Sequence, residues 1–196
     1  MQQRSFLLAA LGLAFVAGCG AADPVTPPST AIAVAVGCLP GSAGFLRARL
    51  RGAIDADIDW RDVQMKCEGG ARPDGAGVRI SIAGPLPPSA GAAAGRTLRF
   101  VFGIDAPPGA SDGRALATNI TVIIEAAGQA DGAIYATRGD DKCTTDRFTR
   151  APLATDSQAR IDARGFCVGP ATRLNGDDRL LVTTFDFAGR VSAELP

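Results

Sequence analysis

The feature that most constrains this chain is a strict alternation running from Phe45 to Trp60. One face reads Leu46, Ala48, Leu50, Gly52, Ile54, Ala56, Ile58, Trp60; the other reads Phe45, Arg47, Arg49, Arg51, Ala53, Asp55, Asp57, Asp59. Successive side chains of an extended chain point to opposite faces, so this is a half-buried β pattern that no helical period accommodates. The pattern recurs. Val78, Ile80 and Ile82 alternate with Arg79 and Ser81, and Leu98, Phe100, Phe102 and Ile104 with Arg99, Val101 and Gly103. Thr118–Glu125 is β-branched enough for a central strand. Further strands are predicted at Ala31–Val36, Ile134–Thr137, Thr144–Arg150, Arg160–Val168, Leu180–Phe187 and Arg190–Glu194.

The connections carry turn chemistry: Pro40-Gly41, Pro73-Asp74-Gly75, Pro107-Pro108-Gly109, Asp112-Gly113, Asp131-Gly132 and Asn175-Gly176. Gly84 to Arg96 reads as the longest low-complexity loop. No helix and no internal repeat stands out. The chain is therefore expected to be all-β, an antiparallel β-sandwich (Ig-like or jelly-roll-like) of about eight to ten strands.

Within Phe45–Trp60 the charges are mirror-symmetric about Ala53, with Arg47, Arg49 and Arg51 before it and Asp55, Asp57 and Asp59 after it. Three arrangements fit. One is a single long strand with a basic and an acidic half. A hairpin turning at Gly52-Ala53-Ile54 sets each arginine opposite an aspartate and Leu46 opposite Trp60. In the third, two copies of the strand pair across a two-fold axis and make a homodimer. Turn chemistry favours the long strand, because a three-residue hairpin loop wants glycine last and the last residue here is the β-branched Ile54.

The first residues carry a different signal. One positive charge at Arg4 precedes the apolar run Phe6–Val16, which closes on Val16-Ala17-Gly18-Cys19. The run is too short to span a bilayer, which takes about 20 apolar residues. The segment resembles a bacterial lipoprotein signal peptide ending in a lipobox. The resemblance implies cleavage before Cys19 and a diacylglycerol thioether, usually with an amide-linked fatty acid, on that cysteine. Several acyl chains anchor a protein firmly where one holds it marginally. In Gram-negative lipoproteins an Asp after the cysteine retains the protein at the inner membrane; Gly20 at this position implies the outer membrane. The resulting division is 1–18 signal peptide, 19–30 lipidated N-terminus and Pro-rich tether, and 31–196 a single β domain.

With Cys19 assigned to the lipid, Cys38, Cys67, Cys143 and Cys167 remain, an even number in an oxidising compartment. A hairpin centred on residue 155 sets Cys143 opposite Cys167, and Cys38–Cys67 follows by elimination.

Composition excludes several chemistries. The chain contains no histidine, which removes Ser-His-Asp and Cys-His catalysis and His-ligated zinc. Net charge is zero and the charges are interspersed, so nothing suggests nucleic acid. No cofactor motif is present. Carboxylates for Ca²⁺ are available in Asp55-Ala56-Asp57-Ile58-Asp59, and in two acidic turns at Asp140-Asp141 and Asp177-Asp178. On a strand, however, alternate carboxylates stand about 7 Å apart and suit a salt-bridged face better than a metal. Arg138-Gly139-Asp140 matches the integrin-binding tripeptide, weak evidence at three residues. Trp60 and Tyr135 are the sole Trp and Tyr, and so the candidate nucleus of a ligand site, although Trp60 on the apolar face of its strand suits core packing better.

The middle of the chain is similar to uncharacterised secreted β-sandwich proteins of proteobacteria, at Gly52–Trp60, Cys67-Glu68-Gly69 and Gly165-Phe166-Cys167. This resemblance implies no activity. The expectation is a non-enzymatic, membrane-anchored envelope lipoprotein with a structural or interaction role toward other envelope proteins. A ligand-binding module for a glycan or Ca²⁺ is the alternative.

Overall fold

Eleven antiparallel strands are formed among the described residues, where the alternation pattern anticipates eight to ten. The computed structural model describes residues 37–75, 77–107, 110, 113–125, 132–139, 141–154 and 157–192; the predicted strand Ala31–Val36 lies outside them. The strands are β1 (Phe45–Gly52), β2 (Ala56–Arg61), β3 (Lys66–Ala71), β4 (Val78–Pro85), β5 (Thr97–Ile104), β6 (Leu116–Glu125), β7 (Ala133–Ala136), β8 (Cys143–Pro152), β9 (Gln158–Cys167), β10 (Ala171–Arg173) and β11 (Arg179–Ser192).

The two layers belong to one continuous sheet that partly closes on itself. Two long strands make this closure by each sharing one edge between two neighbours. β6 pairs with β8 through Leu116–Thr118 and with β7 through Thr121–Ile124. β11 pairs with β10 at Arg179 and Leu180 and with β9 from Phe185 to Ser192. Since β8 pairs with β9 and β7 with β10, the six strands form a ring. Thr137 fills the split in β6: its N–H donates to Ile120 O at 3.1 Å, and its Oγ1 accepts from Ile120 N at 3.1 Å. Two wings leave the ring, β1–β2 beside β11 and β5–β4–β3 beside β6.

The inner faces of the wings and of β11 pack on each other. Phe102 of β5 lies 5.1 Å from Phe185 and 4.6 Å from Phe187 of β11, ring centre to ring centre. Phe100 joins this row to Trp60 of β2, at 5.8 Å from Phe102 and 6.0 Å from Trp60. Aromatic pairs at such distances add about 0.5–1.5 kcal/mol each beyond their buried area. The alternation thus dictates the packing: Leu46, Leu50, Ile58, Trp60, Ile80, Ile82, Leu98 and Phe100, all from the apolar faces, are buried.

Two parts of the sequence reading need correction. Phe45–Trp60 is the hairpin, not one long strand: Leu46 faces Trp60, Arg47 faces Asp59 and Arg49 faces Asp57. The turn objection assigned the left-handed residue to Ile54. The chain instead places positive φ (111°) at Gly52, before the loop, and Ile54 turns inward to 8% exposure. The loop is tied down by Ala53 N to Arg179 O at 2.9 Å and by Gly52 N to the Asp55 carboxylate at 3.1 Å. Second, the predicted strands Leu180–Phe187 and Arg190–Glu194 merge into β11. Gly189 is not a break; a Cβ there would stand 2.7 Å from Ile80 Cδ1, so its bareness lets the layers approach.

Candidate functional site

The outer face of the wing and of the ring strands beside it, in the order β2–β1–β11–β9–β8, carries alternating charge. Register sets it out in two transverse rows. One row runs Asp59, Arg47, Asp186, Arg164, Arg147; the other runs Asp57, Arg49, Thr184. Phe166, next along β9 after Gly165, continues the second row, since Gly165 faces Phe185. Small Thr184 is therefore flanked by a guanidinium on one side and a ring on the other. An open cavity of about 510 Å³ lies over these residues.

Around the cavity four ion pairs form among the described residues, and Arg49 is left without one. Arg47 Nε lies 3.5 Å from Asp59, Arg51 Nη1 2.9 Å from Asp57, Arg164 Nε 3.1 Å from Asp146, and Arg147 Nη2 3.7 Å from Asp186. Arg49 has no hydrogen bond or ion pair from its side chain among the described residues. The reason is local. Asp57 sits opposite Arg49 but its carboxylate reaches diagonally to Arg51. On the β11 side the neighbour of Arg49 is Thr184, which carries no charge. The paired side chains are largely half-exposed, so each pair contributes about 0–1 kcal/mol to stability. Asp186 Oδ1 is buried without a hydrogen bond among the described residues, with Arg147 Nη2 3.7 Å away, so only Oδ2 is open to the cavity.

A second constellation is structural. Asp62, 1% exposed, follows β2 in a 3₁₀ turn (Asp62–Gln64). Its Oδ1 accepts from the backbone N–H groups of Cys38, Leu39 and Gly44, each at 2.9 Å. A Cβ on Gly37 or Gly44 would run into this carboxylate, so the loop wraps it with bare backbone. Beside it the Cys38–Cys67 disulfide joins this loop to β3. Cys143–Cys167 links β8 to β9 at facing positions. Two disulfides suggest an extracytoplasmic location.

The predicted site residues fare differently. Trp60 and Tyr135, at 3% and 4% exposure, are core residues and offer no stacking face to a ligand. Trp60 Nε1 donates to Pro85 O at 2.9 Å, and the bare Cα of Gly84 lies against its indole. Burial, then the charge of Asp178, pushes the Tyr135 phenol above its ordinary value, with Arg173 opposing. The Asp55, Asp57 and Asp59 carboxylates are engaged by Gly52 N, Arg51 and Arg47, the salt-bridged face that the strand spacing favours over Ca²⁺. Asp178 pairs with Arg173 at 3.0 Å, while Asp141 and Asp177 are exposed. Asp140, and with it the Arg138-Gly139-Asp140 tripeptide as a unit, lies outside the described residues, as does Cys19. Among the described residues no three Cys, Asp or Glu side chains converge as metal ligands. Sequence reasoning missed Asp62, whose burial no alternation marks, and the surplus of Arg49, which depends on Asp57 turning to Arg51 and on Thr184 of the distant β11. Comparison with protein-family models, with curated proteins and with solved structures finds no match to this chain.

Proposed function

We propose that this chain is an envelope lipoprotein, anchored through lipidated Cys19 to the outer membrane of a Gram-negative bacterium, with a non-enzymatic role in contacting other envelope components. The observation that carries the reading is the lipobox Val16-Ala17-Gly18-Cys19 ahead of a doubly disulfide-linked β domain. The disulfides support an extracytoplasmic location, and the lipobox supports anchoring at a membrane. Membrane fractionation tests it. The natural chain should sediment with outer membranes and Cys19→Ser should not; equal partitioning of the two would contradict the reading. A second reading, a glycan-binding module, draws on the open saddle at Thr184.

A further inference from the structure

We propose that the saddle over Thr184 binds the carboxylate-bearing ring of an acidic sugar; this rests on the glycan-binding reading and names its ligand. The argument begins with charge. Of the charged residues that line the cavity, Arg47 and Arg164 are paired with Asp59 and Asp146, while Asp57 and Asp186 pair outward with Arg51 and Arg147. Arg49 is the lining cation left without an acidic partner among the described residues. An unspent guanidinium beside a cavity is a site for an anion. Its planar fork suits a carboxylate, which it binds through two parallel hydrogen bonds.

Shape selects among carboxylates. Arg49 and Phe166 lie one strand to either side of Thr184, about 9–10 Å apart at the ordinary strand spacing. Between them Thr184 is short and exposed, so the floor dips. That gap fits one pyranose ring, with Phe166, 40% exposed, against its C–H face. Asp186 is the diagonal neighbour of Arg49, at about 7–8 Å. Its side chain is 28% exposed with Oδ1 buried, so Oδ2 is the oxygen that accepts from a ring hydroxyl. A ligand therefore needs an anion at one end, hydroxyl donors at the other and an apolar face between. A uronate ring has all three, whereas a neutral sugar lacks the first and an acidic peptide the last. The cavity volume of about 510 Å³ is that of a small-molecule site.

Calorimetry on the purified full chain tests this with trigalacturonate, its fully methyl-esterified form, a neutral galactose trisaccharide and triglutamate as probes. The expected result is saturable trigalacturonate binding that weakens with salt and falls about tenfold or more on esterification or in Arg49→Gln. Phe166→Ala should also weaken it, and both variants alter exposed side chains, so folding is checked by their unchanged circular dichroism. Absence of trigalacturonate binding, or binding unaffected by both variants, overturns the proposal. Equal binding of triglutamate overturns the choice of a sugar. If the neutral trisaccharide binds and trigalacturonate does not, the glycan-binding reading stands and this ligand falls; if no sugar binds, both fall.

Discussion

Asp62 is a buried carboxylate that holds a loop in place. One buried oxygen organises three backbone N–H groups of the segment that leads into β1. Leaving buried donors unsatisfied costs about 1–3 kcal/mol each, and the effects of one cluster do not add fully. Asp62→Ala is predicted to lower unfolding free energy by about 3 kcal/mol in denaturant titration, and Asp62→Asn by less, because a carbonyl acceptor remains. A loss below about 0.5 kcal/mol, the range of ordinary surface changes, would show that the loop holds itself. Tyr135 offers a cleaner readout, as the one tyrosine of the chain. Its folded pKa lies above the reference value of 10.0, chiefly through burial. The folded state thus keeps the proton while the unfolded state begins to lose it. The stability this confers is complete below about pH 10 and is lost as pH rises through the folded pKa. Tyrosinate absorbance should titrate above pH 10 in the folded protein; a midpoint at the reference value would mean a solvated phenol.

At the scale of elements, the β1–β2 hairpin shows how far sequence reaches. Its register follows from the mirror of Arg47, Arg49 and Arg51 on Asp55, Asp57 and Asp59, and its inner face from Leu46 and Trp60. What misled was the turn, because any rule that puts the left-handed residue last overlooks a glycine placed first. Gly52→Val is predicted to destabilise by about 1–3 kcal/mol, since it adds strain at positive φ. A Cβ there also stands 2.5 Å from Arg179 O. Asp57→Asn, which removes an exposed ion pair, should stay within about 0.5 kcal/mol. Two strands were illegible for physical reasons. β3 (Lys66-Cys67-Glu68-Gly69-Gly70-Ala71) has no β-branched residue and is a strand because β4 supplies its partners. β10 is three residues long and exists to bridge β7 and β11. The saddle was half legible: the arginine row is plain in β1, but which arginine lacks a partner is decided by Asp57 of β2 reaching Arg51 and by the uncharged Thr184 that β11 sets beside Arg49.

At the scale of the molecule, the two disulfides have unequal tasks. Cys143–Cys167 joins strands already held by a ladder. Cys38–Cys67 joins the segment before β1 to β3, and so ties one wing to the other across faces that share no β ladder. Each closes a loop worth roughly 3 kcal/mol in the chain-entropy model. The two double Cys→Ser variants should therefore lose similar global stability. Hydrogen exchange of β3 should accelerate mainly in the Cys38/Cys67 variant; equal acceleration in both would deny the wing-to-wing role. The alternation, the facing cysteines of β8 and β9 and the all-β class were readable from residues alone. The ring was not, because it depends on β6 and β11 each sharing an edge between two partners. The central claim, a cross-linked β domain held at a membrane by its first mature residue, is tested most directly by mass spectrometry of the protein isolated from cell envelopes. The account predicts an N-terminus at Cys19 carrying diacylglycerol and an amide-linked acyl chain, with peptides joined as Cys38–Cys67 and Cys143–Cys167. An unmodified N-terminus at another residue, or a Cys67–Cys143 or Cys67–Cys167 peptide, would contradict it.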